Sequence, residues 1–456
     1  MRIEAFWAKG YRSLGDVRLP NLGPFNVFYG RNGSGKSNIL AGLQTLVRLL
    51  GVLGRDGTDD LLRSSTRPVG PDELVAQRVA AAAVNAGIVG RRDFQLRPAA
   101  GSITLGAAFA RGASLTDLAI GRRLPDRVEV EITLDGVLTE PVLWLSRMDV
   151  DGSSIATFPR DSPASPSLRD IRTLLAERLP ARAFSSVDAI RALRVDPDDT
   201  TRLQGGANVL LQDMNEGRLA SALFAAKNAS EPDLRRRFRT LQSMLQGEPL
   251  NRPPFDVLRD VVTKEISIRE RLSTSPDEER EVPLDLAGLG IVQIYSILAK
   301  ILFAGTSAVG VEEPEAHLHA PTSGLHLRHL LRRLVEERHV EQLFVATHSN
   351  LFDLDPGGYF DVSLDDGATV VKRCPIAEVD RHFYEPGPTL HALEELLSIA
   401  PEDKVMFRRA DGAPVTAREM IGMLRSADPT ALDYLRNLHS AAVDVVGLRS
   451  RRGRAP

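Results

Sequence analysis

The chain of 456 residues is long enough for two or three domains, and its 43% hydrophobic and 26% charged residues are ordinary for a globular protein. A formal net charge of −3 excludes a global basic field, so any nucleic-acid binding would use a local patch. The single cysteine, Cys374, excludes a disulfide within the chain and fits a reducing compartment. Neither a signal peptide nor a membrane span is indicated, so we expect a cytoplasmic protein without a membrane partner.

Residues 30–37, with the sequence GRNGSGKS, fit the phosphate-binding pattern G-x-x-x-x-G-K-[ST] at every specified position. The alternating segment 25–29 predicts a strand before this loop, and apolar residues at helical spacing over 39–50 predict a helix after it. Backbone N–H groups in that position can surround phosphates, and the helix N-terminus adds about half a positive charge. A Gly/Ser-rich turn before a helix is the simpler interpretation, and the complete pattern with both flanks disfavours it. The predicted phosphate-binding residues are Gly30, Arg31, Asn32, Gly33, Ser34, Gly35, Lys36 and Ser37.

The chain divides into five segments by composition and periodicity. Residues 1–50 are predicted to form the nucleotide-binding half of a first lobe, and 51–165 its β-rich part with an insert. Residues 166–264 are predicted to be a helical insertion. Residues 265–375 supply the second half of the nucleotide-binding lobe, and 376–456 form a C-terminal helical extension that is a candidate docking module.

Two apolar runs in the second half end in polar residues. The run AVGV at 308–311 precedes Glu312 and Glu313, and the run LFVA at 343–346 leads to His348. Both runs predict buried parallel strands, and ligands bind at the C-terminal ends of such strands. Glu312 would hold Mg²⁺ and Glu313 would polarise an attacking water molecule. A glutamate pair on a surface helix is the alternative, which the apolar run before the pair disfavours.

Several blocks together resemble an ABC-type ATPase of the SMC/RecF/OLD-like branch, the AAA family ATPases of AAA-15 or AAA-21 type. These blocks are GYRSL at 10–14, GRNGSGKSN at 30–38, EEPEAHLH at 312–319, ATHS at 346–349 and, more weakly, GGAN at 205–208. The resemblance implies an α/β head with a mixed sheet, ATP and Mg²⁺ as ligands, and Arg12 and Asn38 beside the nucleotide. It further implies that Lys36 acts in catalysis and that His348 is the switch histidine at the γ-phosphate.

The resemblance also implies that two heads enclose two ATP molecules, each site being completed by the signature loop of the other head. We place this signature segment at 286–290, LAGLG, with Gly288 and Gly290 as the nucleotide contacts. A helix predicted over 291–304 follows it. Ala287 stands where the family has serine, and the missing hydroxyl puts the rate of hydrolysis in doubt more than ATP binding. We expect slow turnover.

Two further features are left open by the sequence. The glutamine that normally reports on Mg²⁺ in such heads is not assigned, and Gln204 and Gln212 are both candidates. Four histidines crowd together, which admits a metal site, but their place in the family-like segment and the lack of a nearby cysteine disfavour one. They are His317, His319, His326 and His329.

Other nucleic-acid chemistry is disfavoured. The Asp-x-Asp spacing at 353–355 is that of a Toprim nuclease, but it follows the switch strand too closely and the remaining chain is too short for such a domain. We therefore expect no Toprim domain. Arginines at 235–237 and at 449–454 could contact phosphates, while a solvated helix face and a frayed terminus are the simpler interpretations.

The sequence therefore predicts an ATPase whose nucleotide-gated homodimer drives a separately encoded effector protein or engages a nucleic acid. The resemblance implies anti-phage defence or genome maintenance as the setting. The alternative is an ATP-bound scaffold with little turnover, which Ala287 and the lack of a fused effector domain favour. The intact Glu313 and His348 favour the enzyme.

Overall fold

The protein is described by a computed structural model that divides into two compact units, Met1–Pro375 and Ile376–Pro456. The nucleotide-binding residues of the sequence analysis all fall in the first unit. The structure describes residues 2–54, 77, 80–81, 83–85, 87–90, 93, 101–110, 126–135, 142–158, 184–188, 218–275, 278–316, 318, 321–349, 352, 358–374, 401, 403–408 and 413–425.

The first unit combines strands and helices throughout its length. Its described strands are β1 (Arg2–Tyr11), β2 (Leu14–Leu19), β3 (Phe25–Tyr29), β4 (Ser102–Ala110), β5 (Arg127–Asp135), β6 (Val142–Val150), β7 (Ser153–Phe158), β8 (Phe184–Asp188), β9 (Phe255–Arg259), β10 (Ile266–Ser275), β11 (Glu278–Pro283), β12 (Ala308–Glu312), β13 (Gln342–Thr347), β14 (Tyr359–Asp365) and β15 (Ala368–Arg373). Its described helices are α1 (Lys36–Gly54), α2 (Leu219–Lys227), α3 (Pro232–Gln246), α4 (Leu289–Phe303) and α5 (Pro321–Glu336).

A central sheet with the order β15-β14-β3-β13-β12-β8 carries the predicted site. Its strands run parallel except β15, which pairs antiparallel with β14. The whole of β13 is buried, as expected for a strand covered on both faces. Phe28 of β3, in the centre of the sheet, packs with Phe344 and Phe360, at ring-centroid distances of 6.3 Å and 5.4 Å. This mixed sheet confirms the predicted α/β class.

The order of this sheet brings distant parts of the chain to one edge. Because β3, β13 and β12 are parallel neighbours, the loop after β3 and the ends of the other two strands lie at the same edge. Glu312 pairs with Ala346, and Thr347 pairs with Tyr29, the residue before the loop. We call this edge the nucleotide edge.

A second, antiparallel sheet has the order β2-β1-β4-β5-β6-β7. Strand β5 alternates buried and partly exposed residues, so one face of the sheet is apolar. That face shares a hydrophobic core with α1, and the Tyr11 hydroxyl lies 3.0 Å from the Thr45 hydroxyl of this helix. The core fixes α1, and with it the loop from which α1 starts.

A smaller module joins α2, α3 and α4 to the antiparallel sheet β11-β10-β9. Helix α4 is buried along most of its length, and it begins at Leu289, two residues before the predicted start. Segment 166–264, predicted as a helical insertion, also contains the strands β8 and β9. The predicted GGAN block at 205–208, Gln204 and Gln212 lie outside the described residues.

The second unit, described by itself, contains β16 (Val405–Arg408), β17 (Pro414–Thr416) and α6 (Ala417–Arg425). The helical extension predicted over 376–456 contains α6, and β16 and β17 add an antiparallel hairpin that the prediction did not include. The short alternating run VMFR and the Asp-Gly pair at 411–412 favour a hairpin over a helix. The arginines at 449–454 lie outside the described residues.

Candidate functional site

The phosphate-binding loop, residues 30–37, starts at the end of β3 and leads into α1. The Gly30 N–H donates to the carbonyl of Thr347 at 3.3 Å, which joins the loop to the end of β13. A Cβ atom at Gly30 would lie 2.0 Å from the Val362 carbonyl oxygen. One at Gly35, where φ is 104°, would lie 1.9 Å from the Thr369 hydroxyl oxygen. These glycines are needed because the neighbouring strands approach the loop too closely for a side chain.

Lys36 is buried in the loop that it ends. Its Nζ donates to the carbonyls of Gly30 at 2.6 Å and of Arg31 at 2.9 Å. Burial lowers the pKa of Lys36, while the nearby charges of Glu313 and Glu315 act in the opposite direction. The lysine therefore lies within electrostatic reach of the glutamates that follow β12, as the sheet order requires.

A directed chain of hydrogen bonds braces the loop from the side. The Asn38 amide donates to the Ser13 hydroxyl at 2.7 Å, and that hydroxyl lies 2.6 Å from the Thr369 hydroxyl. Thr369 in turn donates to the Ser34 carbonyl at 3.0 Å. Asn38 and Ser13 fall within predicted motif blocks, whereas Thr369 does not, because no motif marks a residue of β15 as a neighbour of the loop.

Arg12 lies beside this chain. Its backbone is left-handed, with φ of 51°, its Nε donates to Asp93 at 2.7 Å, and its Nη1 donates to Asn38 at 3.4 Å. The guanidinium also lies 5.2 Å from the centroid of the Tyr11 ring. Arg12 is therefore fixed next to the start of α1, and its direct contact with a nucleotide stays a prediction.

Ser34 provides an independent indication of a ligand. Its hydroxyl oxygen is buried and has no hydrogen-bond partner among the described residues. Buried hydroxyls in folded proteins are hydrogen-bonded with few exceptions, so this oxygen fits a site that a ligand completes. With Lys36 and the N-terminus of α1 beside it, an anionic phosphate suits the site. The residues present thus fit a nucleotide.

The end of β12 places two carboxylates at the nucleotide edge. Glu312 is the last residue of the strand and is half-buried. Glu313 adopts a left-handed conformation with φ of 45°, and its N–H donates to the Ala346 carbonyl at 2.8 Å. A left-handed backbone in a non-glycine residue costs on the order of 1–3 kcal/mol and is concentrated at functional sites. Both residues lie at the C-terminal end of the strand that the sequence predicted.

Glu315 is the site residue that the sequence analysis did not single out. One of its oxygens, Oε1, accepts hydrogen bonds from the Thr347 hydroxyl at 2.6 Å and from the His348 N–H at 2.9 Å, and lies 3.1 Å from His348 Nδ1. Its position in the Glu-Pro-Glu triplet was visible, but only the sheet register shows that it reaches the end of β13. The predicted switch histidine is thus held by a buried carboxylate.

The signature segment, 286–290, contains three exposed residues, Leu286, Gly288 and Leu289. Gly288 is exposed, has φ of 90°, and precedes α4 as its N-cap without a side-chain cap. Its carbonyl accepts from the N–H groups of Ile291 and Val292 at 3.2 Å and 3.3 Å. Leu286 and Leu289 are 74% and 57% exposed. Gly290, the other predicted nucleotide contact, lies in the first turn of α4.

The candidate metal and nuclease residues of the sequence lie mostly outside the described residues. His317, His319 and 353–355 lie outside the described residues, and His329 is exposed on α5. Among the residues that the structure describes, no group of three or more His, Cys, Asp or Glu could hold a metal ion. No helix in that part of the chain has both the length and the apolar character needed to cross a bilayer.

One family model matches part of the first unit. Residues 168–355 match the family model described as AAA domain, putative AbiEii toxin, Type IV TA system. No curated protein matches the chain. The match confirms the predicted resemblance, and the loop at 30–37 lies outside the matched residues.

Among solved structures, the chain is similar to three SMC heads. One is an SMC head bound to the C-winged helix domain of ScpA (15% identity, 84% of this chain, 100% of that chain, TM-score 0.45). Another is the SMC head domain from Thermotoga maritima (15%, 82%, 99%, TM-score 0.40). The third is an SMC head domain with an extended coiled coil, bound to the C-terminal domain of ScpA, derived from Pyrococcus furiosus (14%, 87%, 99%, TM-score 0.43).

Proposed function

Because residues 168–355 match an AAA domain model, we propose that the chain binds ATP with Mg²⁺ and hydrolyses it slowly between two copies of itself. One observation carries the proposal: Lys36, Glu313 and His348 follow or border three neighbouring parallel strands at the same edge of one sheet. Phosphoryl transfer needs a charge at the phosphates, a group that orients water and a group at the γ-phosphate. These three residues supply those roles.

The loop and the carboxylates divide the work of holding the substrate. Lys36 and the N–H groups of residues 30–37 would bind the β- and γ-phosphates, and the Ser34 hydroxyl would find its partner there. The Ser37 hydroxyl and Glu312 would hold Mg²⁺, which neutralises charge on the phosphate oxygens when bound. Glu313 would orient the attacking water and accept its proton.

The exposed signature segment supports the use of a second copy. Gly288 presents the N-terminus of α4 without a side-chain cap, and the exposed Leu286 and Leu289 flank it. A helix N-terminus attracts an anion, and apolar side chains on both sides favour burial by another protein surface. In the proposed homodimer, Gly288 and Gly290 of one copy contact the γ-phosphate held by the other.

The output of such a cycle is a change in how two heads are joined, so a further molecule must use it. We propose a separately encoded effector protein, with a nucleic acid as the alternative, in anti-phage defence or genome maintenance. The resemblance supports this setting, and the matched family model is described with a toxin of a toxin–antitoxin system. Segment 376–456 is the proposed docking module.

A scaffold that holds ATP with little turnover is the second candidate. Ala287 favours it, because the signature segment then offers backbone groups but no serine hydroxyl to the γ-phosphate. The two candidates agree on ATP binding and on the dimer and differ in hydrolysis. Phosphate release by the wild-type protein and by Glu313→Gln separates them, since only an enzyme loses turnover in the variant.

The dimer is tested by measuring the mass of Glu313→Gln in solution with and without ATP and Mg²⁺. We expect a shift from monomer to dimer with ATP that is absent with ADP. Glu337→Gln, an exposed glutamate at the end of α5, is the matched control and should behave as wild type. An unchanged mass of Glu313→Gln in all conditions would contradict the nucleotide-gated dimer.

A further inference from the structure

We propose that Glu315 is the positioning residue of His348: it holds the imidazole through Nδ1 and leaves Nε2 as the nitrogen that faces the reacting phosphate or water. The contact itself is independent of any activity. Its effect on turnover rests on the proposed function, since positioning His348 matters for rate only if ATP is hydrolysed at this site.

Two hydrogen bonds and one ion-pair contact converge on a single carboxylate oxygen. Glu315 Oε1 accepts from the Thr347 hydroxyl at 2.6 Å and the His348 backbone N–H at 2.9 Å, and it lies 3.1 Å from His348 Nδ1. The first two contacts fix the backbone at the point where β13 ends. The third fixes the direction of the ring. Together they restrict both the backbone and the imidazole ring of His348.

The sheet register makes this contact possible. Glu312 pairs with Ala346, so the chain beyond β12 runs beside the chain beyond β13. Glu313 turns with a left-handed backbone and donates to Ala346, which brings the residues after it back across the end of β13. Glu315 is thereby level with Thr347 and His348.

The chemistry of the groups assigns the proton. An ionised carboxylate carries no proton, and a bare ring nitrogen would place its lone pair against the oxygen at 3.1 Å, so this contact favours a proton on Nδ1. A neutral imidazole carries one N–H, and Glu315 therefore selects the Nδ1–H tautomer. Nε2 is then the unprotonated nitrogen. The His348 side chain is 49% exposed, so the ring is open to a ligand or solvent.

A contact that only ties two strand ends together is the competing explanation. Two observations favour a role at the site. Glu315 is 91% buried, yet its second oxygen, Oε2, has no hydrogen-bond partner among the described residues, which is unusual for a purely structural carboxylate. The charge of Glu315 also acts on Lys36, opposing the effect of burial on the pKa of that lysine. Glu315 therefore contacts the histidine and lies within electrostatic reach of the loop lysine.

The direct test is the tautomer of His348, read from long-range ¹H–¹⁵N correlation spectra of histidine-labelled full-length protein without nucleotide. The signals of His348 are assigned with His348→Gln. We expect the Nδ1–H form in the wild type, and we expect Glu315→Gln to move the ring toward the Nε2–H form that free side chains prefer. An Nε2–H tautomer in the wild type would overturn the proposal, whatever the activity.

Two further variants distinguish a role in positioning His348 from a contact that only joins two strand ends. Thr347→Val removes the hydroxyl donor to Glu315 but leaves the His348 contact, so the tautomer should stay Nδ1–H. Glu337→Gln breaks the other glutamate–histidine pair, between Glu337 and His339 at 3.3 Å, and should leave the signals of His348 unchanged. A change of tautomer in Thr347→Val as large as that in Glu315→Gln would show that fold, not the carboxylate, sets the ring.

Turnover provides the second reading. Removing the charged partner of a polar group corresponds to about a tenfold effect, so we expect kcat of Glu315→Gln to fall roughly tenfold while the Kd for ATP changes less than about twofold. Unchanged kcat would reject the positioning role. If the wild type releases no phosphate, hydrolysis under the proposed function fails, and the tautomer alone decides the Glu315 contact.

Discussion

The nucleotide edge and the signature segment differ in how completely the chain itself satisfies them. At the edge, the loop is joined to Thr347 and Thr369 by hydrogen bonds, and the glycines fit strands that leave no room for a side chain. At the signature segment, Gly288 is exposed without a side-chain cap. The difference shows that one chain fixes the shape of the loop by its own contacts, whereas it leaves the signature segment exposed.

The same contrast runs along α4 itself. Its first residue, Leu289, is 57% exposed, but Tyr295 one and a half turns later is fully buried and donates to Glu270 at 2.7 Å. Glu270 also accepts from Arg252 at 3.0 Å and 2.5 Å. Burial and the hydrogen bond to Glu270 raise the pKa of the Tyr295 hydroxyl, so it remains a donor. The body of α4 is therefore fixed by buried contacts, whereas its first residue is exposed.

The largest effect is expected from breaking the held part of α4. Glu270→Ala leaves Arg252 without its carboxylate and Tyr295 without its acceptor in a buried site. Removing one partner of a buried pair costs about 3–5 kcal/mol in the free energy of unfolding. Chemical denaturation measures it, with Glu281→Ala on the exposed side of the same sheet as control. A loss below about 1 kcal/mol would show that this network does not hold α4.

Next in size is the loss of the loop cation. Lys36→Ala removes a buried charge from the phosphate site, and hydrogen bonds to charged groups contribute about 1.5–3 kcal/mol, so ATP affinity should fall roughly 10- to 100-fold. Calorimetric titration with ATP and Mg²⁺ measures this, and the exposed Lys9→Ala is the control. Equal Kd values for the two variants would contradict binding at residues 30–37.

The brace of the loop should contribute less. Thr369→Val keeps the shape of the side chain but removes the hydroxyl that donates to the Ser34 carbonyl. One neutral hydrogen bond contributes about 0.5–1.5 kcal/mol, so we expect ATP affinity to fall about three- to tenfold. Thr104→Val removes a comparable hydroxyl pair, at 3.1 Å from Thr133, in the antiparallel sheet. If both variants bind ATP like the wild type, the brace is not part of the binding site.

The parts of the site that the sequence predicted are those encoded locally. The loop pattern requires glycines at fixed spacing, and the apolar runs before Glu312 and His348 mark buried strands, so strand ends and loop were both visible. Thr369 and Glu315 were missed because their roles depend on which strands are neighbours. No local pattern specifies that β14 lies beside β3, which is what brings β15 to the loop.

The hairpin of the second unit was missed although its alternating run and Asp-Gly pair are local signals. Residues 416–425 carry the apolar spacing of a helix, and the structure places Pro414–Thr416 in β17 and Ala417–Arg425 in α6. The division follows from pairing, since Val415 lies opposite Phe407 and Thr416 opposite Val405. Thr416 also marks the start of α6: the Glu419 N–H donates to its hydroxyl at 3.3 Å, and its own N–H donates to Glu419 at 3.1 Å.

The smallest effect is expected at the exposed start of α4. Leu289→Ser leaves the backbone of the signature segment intact but removes apolar surface that a second copy would cover. Because Leu289 is already 43% buried in one chain, the loss is about 1 kcal/mol, which is roughly a fivefold weaker ATP-dependent dimer in the Glu313→Gln background. Sedimentation across a concentration series measures the dimer Kd, and Leu364→Ser, an equally exposed leucine on β14, is the control. A selective effect of Leu289→Ser would place the dimer contact at the signature segment, whereas equal effects from both leucines would remove it from there.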